Sequence, residues 1–241
     1  MTSPVEPENM LINELVLANH ILYDQQVVDG FGHVSARSGR DPDKFLLARS
    51  MPPSVVQPGD IITYDFDGTD IDARGCAGYL ERFIHAEIYR ARPDVMAVVH
   101  SHSVSVLPFG IARSRLRPVY HMAAFLVNSS RFEIREEFGA GTDMLISNSA
   151  MGKSLAKALD CNCVALMRGH GSVAVGSSLQ EAVYRAVYTE INARAQIQAL
   201  TLEGPLEFLT EAESKAATAT TTRHYDRCWS LWRDMAVKNR I

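Results

Sequence analysis

The sequence predicts an α/β chain whose helices pack on a mixed, antiparallel-rich sheet. Three observations carry that prediction. The apolar spacing alternates along the chain between a helical repeat of about 3.6 residues and short runs of strand length. Several of those runs follow one another with no helix between them, which calls for hairpins and so for antiparallel pairing. The length, 241 residues, suits one large α/β domain, and such a chain buries about 70–75% of its unfolded surface without a disulfide or metal to hold it.

Residues 1–8 hold two prolines and are expected as a loose arm ahead of a single domain over 9–241. Residues 10–26 predict a first helix, because Leu11, Ile12, Leu15, Ala18, Ile21 and Leu22 fall on one face. Residues 30–37 read as a turn into a strand, 44–48 as a second strand and 61–65 as a third, followed by the turn signal Asp67-Gly68. A helix over 80–92 stops before Pro93, since the residue ahead of a proline avoids helical backbone angles. A buried strand follows at 95–100, a helix at 149–158, strands at 163–167 and 172–176, and a long helix at 178–202 that Gly204-Pro205 stops. Residues 216–222, AATATTT between Lys215 and Arg223, fit either a helix or a helix–loop boundary. Trp229, Trp232 and Met235, three apart, predict a final helix with an apolar stripe.

Composition excludes several classes of function. With 46% hydrophobic and 22% charged residues the chain is not a disordered segment. The net charge of −4 argues against a nucleic-acid binder, whose phosphate contacts need a basic face. Apolar runs such as 95–99 are too short to span a bilayer. Three acidic and no basic side chains through Glu14 do not make a secretory signal. Four cysteines, two of them at Cys161 and Cys163, are too few and too close for a disulfide framework or a C-x-x-C site, so reduced thiols in a cytoplasmic protein are expected. No G-x-G-x-x-G or G-x-x-x-x-G-K-[ST] pattern is present, so neither dinucleotide nor P-loop chemistry is indicated.

The segment Val98-Val-His100-Ser-His102-Ser carries the sharpest chemical signal. Residues i and i+2 of a strand share a side, so two imidazoles stand in parallel at a strand end, an arrangement that suits a divalent transition metal and also occurs in purely structural roles. Arg168-Gly-His170-Gly171 sets a third histidine between glycines directly after an apolar strand, where the backbone is free and the ring has room. Glu81 opens the helix at 80–92, either as a first-turn charge favoured by the helix dipole or as a functional carboxylate, with His85 one turn on to orient it or simply to pack.

Four separated segments, Gly32-His-Val-Ser35, Glu81-Arg-Phe-Ile-His85, Arg92-Pro-Asp94 with Ala97-Val-Val-His-Ser-His102, and Arg168-Gly-His-Gly171, resemble the class II aldolase/adducin family in order and spacing, over residues 8–210. The resemblance implies a single-domain, three-layer αβα fold around a central mixed, largely antiparallel sheet. It also implies one divalent metal ion per subunit (zinc, manganese, cobalt or iron) on His100, His102 and His170, with Glu81 as a further ligand and acid/base. Retention of the three histidines favours the enzyme branch over an adducin-like interaction domain without catalysis.

The chain departs from the sugar-phosphate pattern. Ala48-Arg-Ser-Met51 stands where a Thr-Pro-Ser-Gly-like segment holds phosphate, Tyr79-Leu80 replaces a serine pair, and His33 replaces an asparagine. These changes remove compact donors, so a planar carboxylate is expected in place of a sugar phosphate. His33, Arg49, Ser50, Tyr79 and Arg82 are the expected substrate-binding residues, with Arg49 either anchoring a carboxylate in its fork or serving as a surface ion pair. The segments Tyr79-Leu-Glu-Arg-Phe-Ile-His85 and Pro118-Val-Tyr-His-Met122 are similar to the decarboxylase branch, which acts on hydroxylated aromatic or heteroaromatic dicarboxylates in catabolism. By the same resemblance Tyr120 or His121 reaches a site across a subunit interface of a homotetramer, and Tyr225, beside His224, falls where aldolases place a second tyrosine. The expected function is thus a metal-dependent carbon–carbon lyase that decarboxylates a small hydroxylated carboxylate through a metal-stabilised enolate, with no nucleic-acid or membrane partner. A retro-aldolase acting on a non-phosphorylated hydroxy-keto acid is the alternative.

Overall fold

The computed structural model describes residues 5–72 and 75–240, with side chains from residue 8 onward. Helix α1 (Val5–Asp24) buries Leu15, Ala18, Ile21 and Leu22, the face that the spacing marked. It begins earlier than the sequence suggested. Residues 5–8 are helical rather than a loose arm, because buried Glu8 accepts hydrogen bonds from Ser38 Oγ (2.8 Å) and the Gly39 amide (3.1 Å); residues 1–4 of that expected arm lie outside the described residues. The helix also stops short of Gln26, which takes a left-handed φ of 59°.

Strands β1 (His33–Arg37), β2 (Lys44–Ala48) and β3 (Ile61–Asp65) form an antiparallel meander. Helix α2 (Arg82–Ala91) ends before Pro93, and β4 (Ala97–Ser101) returns beside β1. The stretch that follows showed no periodic signal and holds short elements: α3 (Leu107–Ile111), a 3₁₀ segment at His121–Asn128, β5 (Ser130–Phe132) and α4 (Arg135–Phe138). Helix α5 (Ser149–Leu159) is capped by Asn148 Oδ1, which accepts the Met151 amide. Strands β6 (Val164–Met167) and β7 (Gly171–Gly176) make a hairpin through Arg168-Gly-His170, and Ser178 caps the long α6 (Leu179–Ala199). A Thr210/Glu213 capping box opens α7 (Glu211–Thr221), so the AATATTT stretch is mostly helix, and α8 (Tyr225–Lys238) carries the tryptophan stripe.

The seven strands form one sheet in the order β3-β2-β1-β4-β7-β6-β5, antiparallel except for the β5–β6 pair. This is the mixed, largely antiparallel α/β architecture that the sequence predicts. Alternation along β4 divides the core: Ala97 and Val99 face α1, α6 and α8, whereas Val98 faces α2 and α5. His100 follows the parity of Val98, so its ring stands on the side where α2 begins. No helix among the described residues is long and apolar enough to cross a membrane.

Helices α2 and α5 approach closely at Gly152, where an added Cβ would collide with the Phe83 carbonyl oxygen and touch Glu87 Cγ at 3.0 Å. Gly152→Ala should therefore push the helices apart and lower stability by about 1–3 kcal/mol, as overpacking does. Urea denaturation reads this as a lower midpoint, and a midpoint equal to that of the parent would refute the contact's importance.

Candidate metal centre

At the end of the sheet where β4 stops and β1 and β7 begin, four side chains converge: Glu81, His100, His102 and His170. One ligand atom from each lies within 4.8 Å of the others. The H-x-H spacing acts as expected, with the two Nε2 atoms 3.0 Å apart. His170 reaches the same point from the β6–β7 turn. Gly169 takes a φ of 64° there, and Gly171 packs so tightly on the Ser101 carbonyl that a side chain would not fit.

Backbone carbonyls decide which nitrogens face inward. His100 Nδ1 lies 3.1 Å from the Ser172 carbonyl and His170 Nδ1 lies 2.9 Å from the Met144 carbonyl. A carbonyl only accepts, so each Nδ1 carries the proton and each neutral ring turns an Nε2 lone pair to the centre. Such outer hydrogen bonds orient histidines that bind metals. Glu81 occupies the N-cap position of α2 yet caps nothing; its Oε1 accepts the Ile146 amide at 3.0 Å, and its Oε2 lies 3.4 Å from both His100 Nε2 and His170 Nε2.

These residues fit a divalent transition ion. Among the described residues, buried His170 Nε2 has no hydrogen-bond partner, a costly arrangement for a polar atom unless something binds it. The unprotonated His100 Nε2 faces His102 Nε2 at 3.0 Å and the Glu81 carboxylate at 3.4 Å, a grouping that a cation can join. Three nitrogens and one oxygen are a donor set that zinc and its neighbours accept.

Burial pushes the Glu81 carboxyl up, but the His100 and His170 imidazoles overcome this and hold it far below the ordinary carboxylate range. Burial, then His100 and His170, push His102 down to about 4, and burial with neighbouring histidines holds His33 low. His170 is instead raised, because the pull of Glu81 exceeds the penalty of burial.

A cavity of about 350 Å³ opens beside the cluster, lined by Phe31, His33, Ser50, Met51, Pro52, Tyr79, Leu80, Glu81, His102 and Leu145 among others. His33, Ser50 and Tyr79 thus stand where a substrate would lie. Tyr79 is fixed by donating to the Met51 carbonyl at 2.6 Å, with its ring 4.5 Å from that of His33.

Other expected site residues are elsewhere. Arg49 is committed to Asp60 (Nε–Oδ1 2.7 Å) and does not line the cavity, so its ion-pair role is the one the structure displays. Arg82 donates to the Gly68 and Tyr79 carbonyls and lies over the Phe83 ring, away from the cavity. His85 does not touch Glu81 by hydrogen bond; it bonds His33 and Ser35. Tyr120, His121 and Tyr225 do not join the cluster within the chain. Tyr120 lies edge-on to His121, and Asn192 and Gln196 of α6 hold the backbone just before them through four hydrogen bonds to residues 115–119. His121 and His224 line a separate cavity of about 600 Å³, and Tyr225 is buried against Tyr184, ring centroids 4.2 Å apart.

Fold and cluster together define a class. The chain belongs to the family described as class II aldolase and adducin N-terminal domain, whose model matches residues 13–197. Decarboxylase tropJ of Talaromyces stipitatus is 36% identical over 94% of this chain and 94% of its own length. A 3,4-dihydroxyphthalate decarboxylase of Arthrobacter keyseri is 28% identical over 83% and 82%. Among solved structures, an aldolase II superfamily protein from Pseudomonas syringae superposes with a TM-score of 0.81 at 20% identity, over 99% of this chain and 95% of that one.

Replacing His100, His102 or His170 singly by Ala should cut the divalent metal content of the purified protein to below half, read by elemental analysis; full content in any of the three variants would exclude that residue as a ligand. A second expectation concerns acid. His85 is pushed down to about 3, chiefly by burial and then by His100, and His20, His33 and His102 are lowered too. A histidine with a folded pKa below its unfolded value stabilises the fold fully above pH 6.5 and loses that contribution as pH falls toward the folded value. For His85 alone the loss is roughly 2 kcal/mol by pH 5. His170 has the opposite sign, and the four lowered histidines outweigh it. Chelator-treated protein should therefore denature at lower urea at pH 5 than at pH 7, and an unchanged midpoint would contradict the buried-neutral assignment.

Proposed function

We propose that the chain is a metal-dependent carboxy-lyase that removes CO₂ from a small hydroxylated aromatic or heteroaromatic carboxylate. The observation that carries this reading is the Glu81, His100, His102, His170 cluster facing a cavity with mostly apolar walls. Membership of the family and similarity to decarboxylases over most of the chain make it a carbon–carbon lyase.

His100, His102 and His170 would hold the ion, zinc or a neighbour in the same row of metals. When bound, the ion supplies a Lewis acid for charge that develops on substrate oxygens. Every other part belongs to the protein. Phe31, Met51, Tyr79 and Leu80 stack a planar ring and exclude water from it. Glu81, held as a carboxylate and aimed by the Ile146 amide, takes the proton of the substrate hydroxyl and returns it to the ring carbon that CO₂ leaves, so one proton replaces one carboxylate carbon. Ser50 and His33 contact the substrate's oxygens. The leaving carboxylate lies against the apolar wall, where no ion pair stabilises the ground state. In a homotetramer of the kind the resemblance implies, Tyr120 or His121 would complete the site of a neighbouring copy.

The test is a panel of hydroxybenzoates, dihydroxyphthalates and hydroxypyridine carboxylates offered to metal-loaded protein, with CO₂ and aldehyde release measured side by side. CO₂ release supports the reading, and aldehyde or pyruvate release without CO₂ overturns it in favour of aldol cleavage. On the accepted substrate Glu81→Gln should keep its metal and lose about 10²–10⁴-fold in kcat; a variant within a few-fold of the parent would remove Glu81 from the proton-transfer role.

A further inference from the structure

A second chain of polar side chains runs through the core beside the metal cluster. Tyr89 OH lies 2.8 Å from Ser35 Oγ, Ser35 Oγ lies 2.6 Å from His85 Nδ1, and His85 Nε2 lies 2.6 Å from His33 Nδ1. All four residues are buried, Ser35 and His85 completely. The chain starts in the α2 layer and ends on the cavity wall, where the His33 ring sits 5.0 Å from that of His100. His33 nevertheless stays outside the group of atoms that converge for a metal.

We propose that Tyr89, Ser35 and His85 are positioning residues that set His33 as an Nε2–H hydrogen-bond donor toward the substrate cavity and keep it from becoming a metal ligand.

The closed end of the chain decides its direction. A phenol has one proton, and when buried it needs an acceptor for it. Among the described residues the Tyr89 oxygen faces Ser35 Oγ and the Val98 backbone amide, and the amide is itself a donor. The Tyr89 proton therefore goes to Ser35. The Ser35 proton then goes to His85 Nδ1, so a neutral His85 carries its proton on Nε2 and donates it to His33 Nδ1. A contact of 2.6 Å between two imidazole nitrogens admits one proton only, so His33 accepts at Nδ1 and its own proton sits on Nε2. That His85 is held neutral, down to about 3 by burial first, agrees with this order. Reversal would leave the buried Tyr89 hydroxyl proton with no acceptor among the described residues.

An Nε2–H on His33 has two effects. It occupies the lone pair by which His33 would otherwise bind the ion, and it offers a fixed donor to a negative oxygen of the substrate beside the metal. The tautomer stands on the chain's geometry alone; the donor's use in decarboxylation rests on the proposed function.

The experiment is nitrogen NMR on zinc-loaded protein labelled with ¹⁵N-histidine. Both His33 and His85 should show the Nε2–H tautomer. An Nδ1–H tautomer at His33 overturns the proposal whatever the protein catalyses. Tyr89→Phe removes the terminal donor and Ser35→Ala breaks the chain one link nearer the site; in whichever folds, His33 should lose its single tautomer while zinc content stays at the parent level. A His33 signal unchanged in a folded variant overturns the directing role. With a substrate in hand, Ser35→Ala should also lower kcat on the order of tenfold, the usual scale for outer hydrogen-bond partners, with an unaltered metal content. An unaltered kcat overturns the functional half.

Discussion

The register of β4 between β1 and β7 is the constraint on which the site depends. His33 pairs across from His100 on one side, and Val173 pairs across from His100 on the other. A strand has period two, so a slip of one residue would turn His100 into the opposite layer, among the side chains that face α1, α6 and α8. The register is held by what lies further along the same strands. Val98 is buried in one layer and Ala97 and Val99 in the other, each filling its own place in a packed core. The hydrophobic core and the candidate metal centre thus share one alignment: apolar residues in the middle of β4 place the imidazoles at its end.

Helix α2 adds the anion. Its approach to α5 at Gly152 sets how deep it lies, and its first turn brings Glu81 against rings that the sheet has already placed. The same helix carries His85 and Tyr89, one turn apart on the buried side, so a single rigid element supplies both the carboxylate at the centre and two members of the polar chain that ends at His33. Helix packing is therefore coupled to the chemistry through backbone position.

What was legible in the sequence was local. The same-side placement of His100 and His102 follows from strand periodicity, and the clearance around His170 follows from its flanking glycines. Helices α1 and α8 announced themselves by spacing, whereas α7 did not. What was not legible depended on contacts between distant segments. Arg49 looked free to bind a carboxylate because nothing nearby in sequence revealed Asp60 as its partner. Tyr225 was named by resemblance alone, and its packing against Tyr184 on another helix was not visible in the sequence. Helix α3, strand β5 and the 3₁₀ segment at His121–Asn128 are too short to show a period, and their place comes from tertiary packing such as the grip of Asn192 and Gln196 on residues 115–119. Ser35, His85 and Tyr89 were visible as residues, but their chain exists only once α2 lies on β1.

The loop before α5 holds the site from the opposite side, and it does so with main-chain atoms. The Met144 carbonyl fixes His170 and the Ile146 amide fixes Glu81, two residues apart on one short strap. Neither contact depends on what side chain the strap carries. Leu145, which lines the cavity, can therefore change while both groups stay oriented, whereas Ile146 is fully buried in the core and is held to an apolar side chain. Proline at 146, which lacks the amide hydrogen, is the substitution this arrangement forbids. A change at Leu145 can therefore alter what the cavity meets without disturbing the centre that the strap steadies.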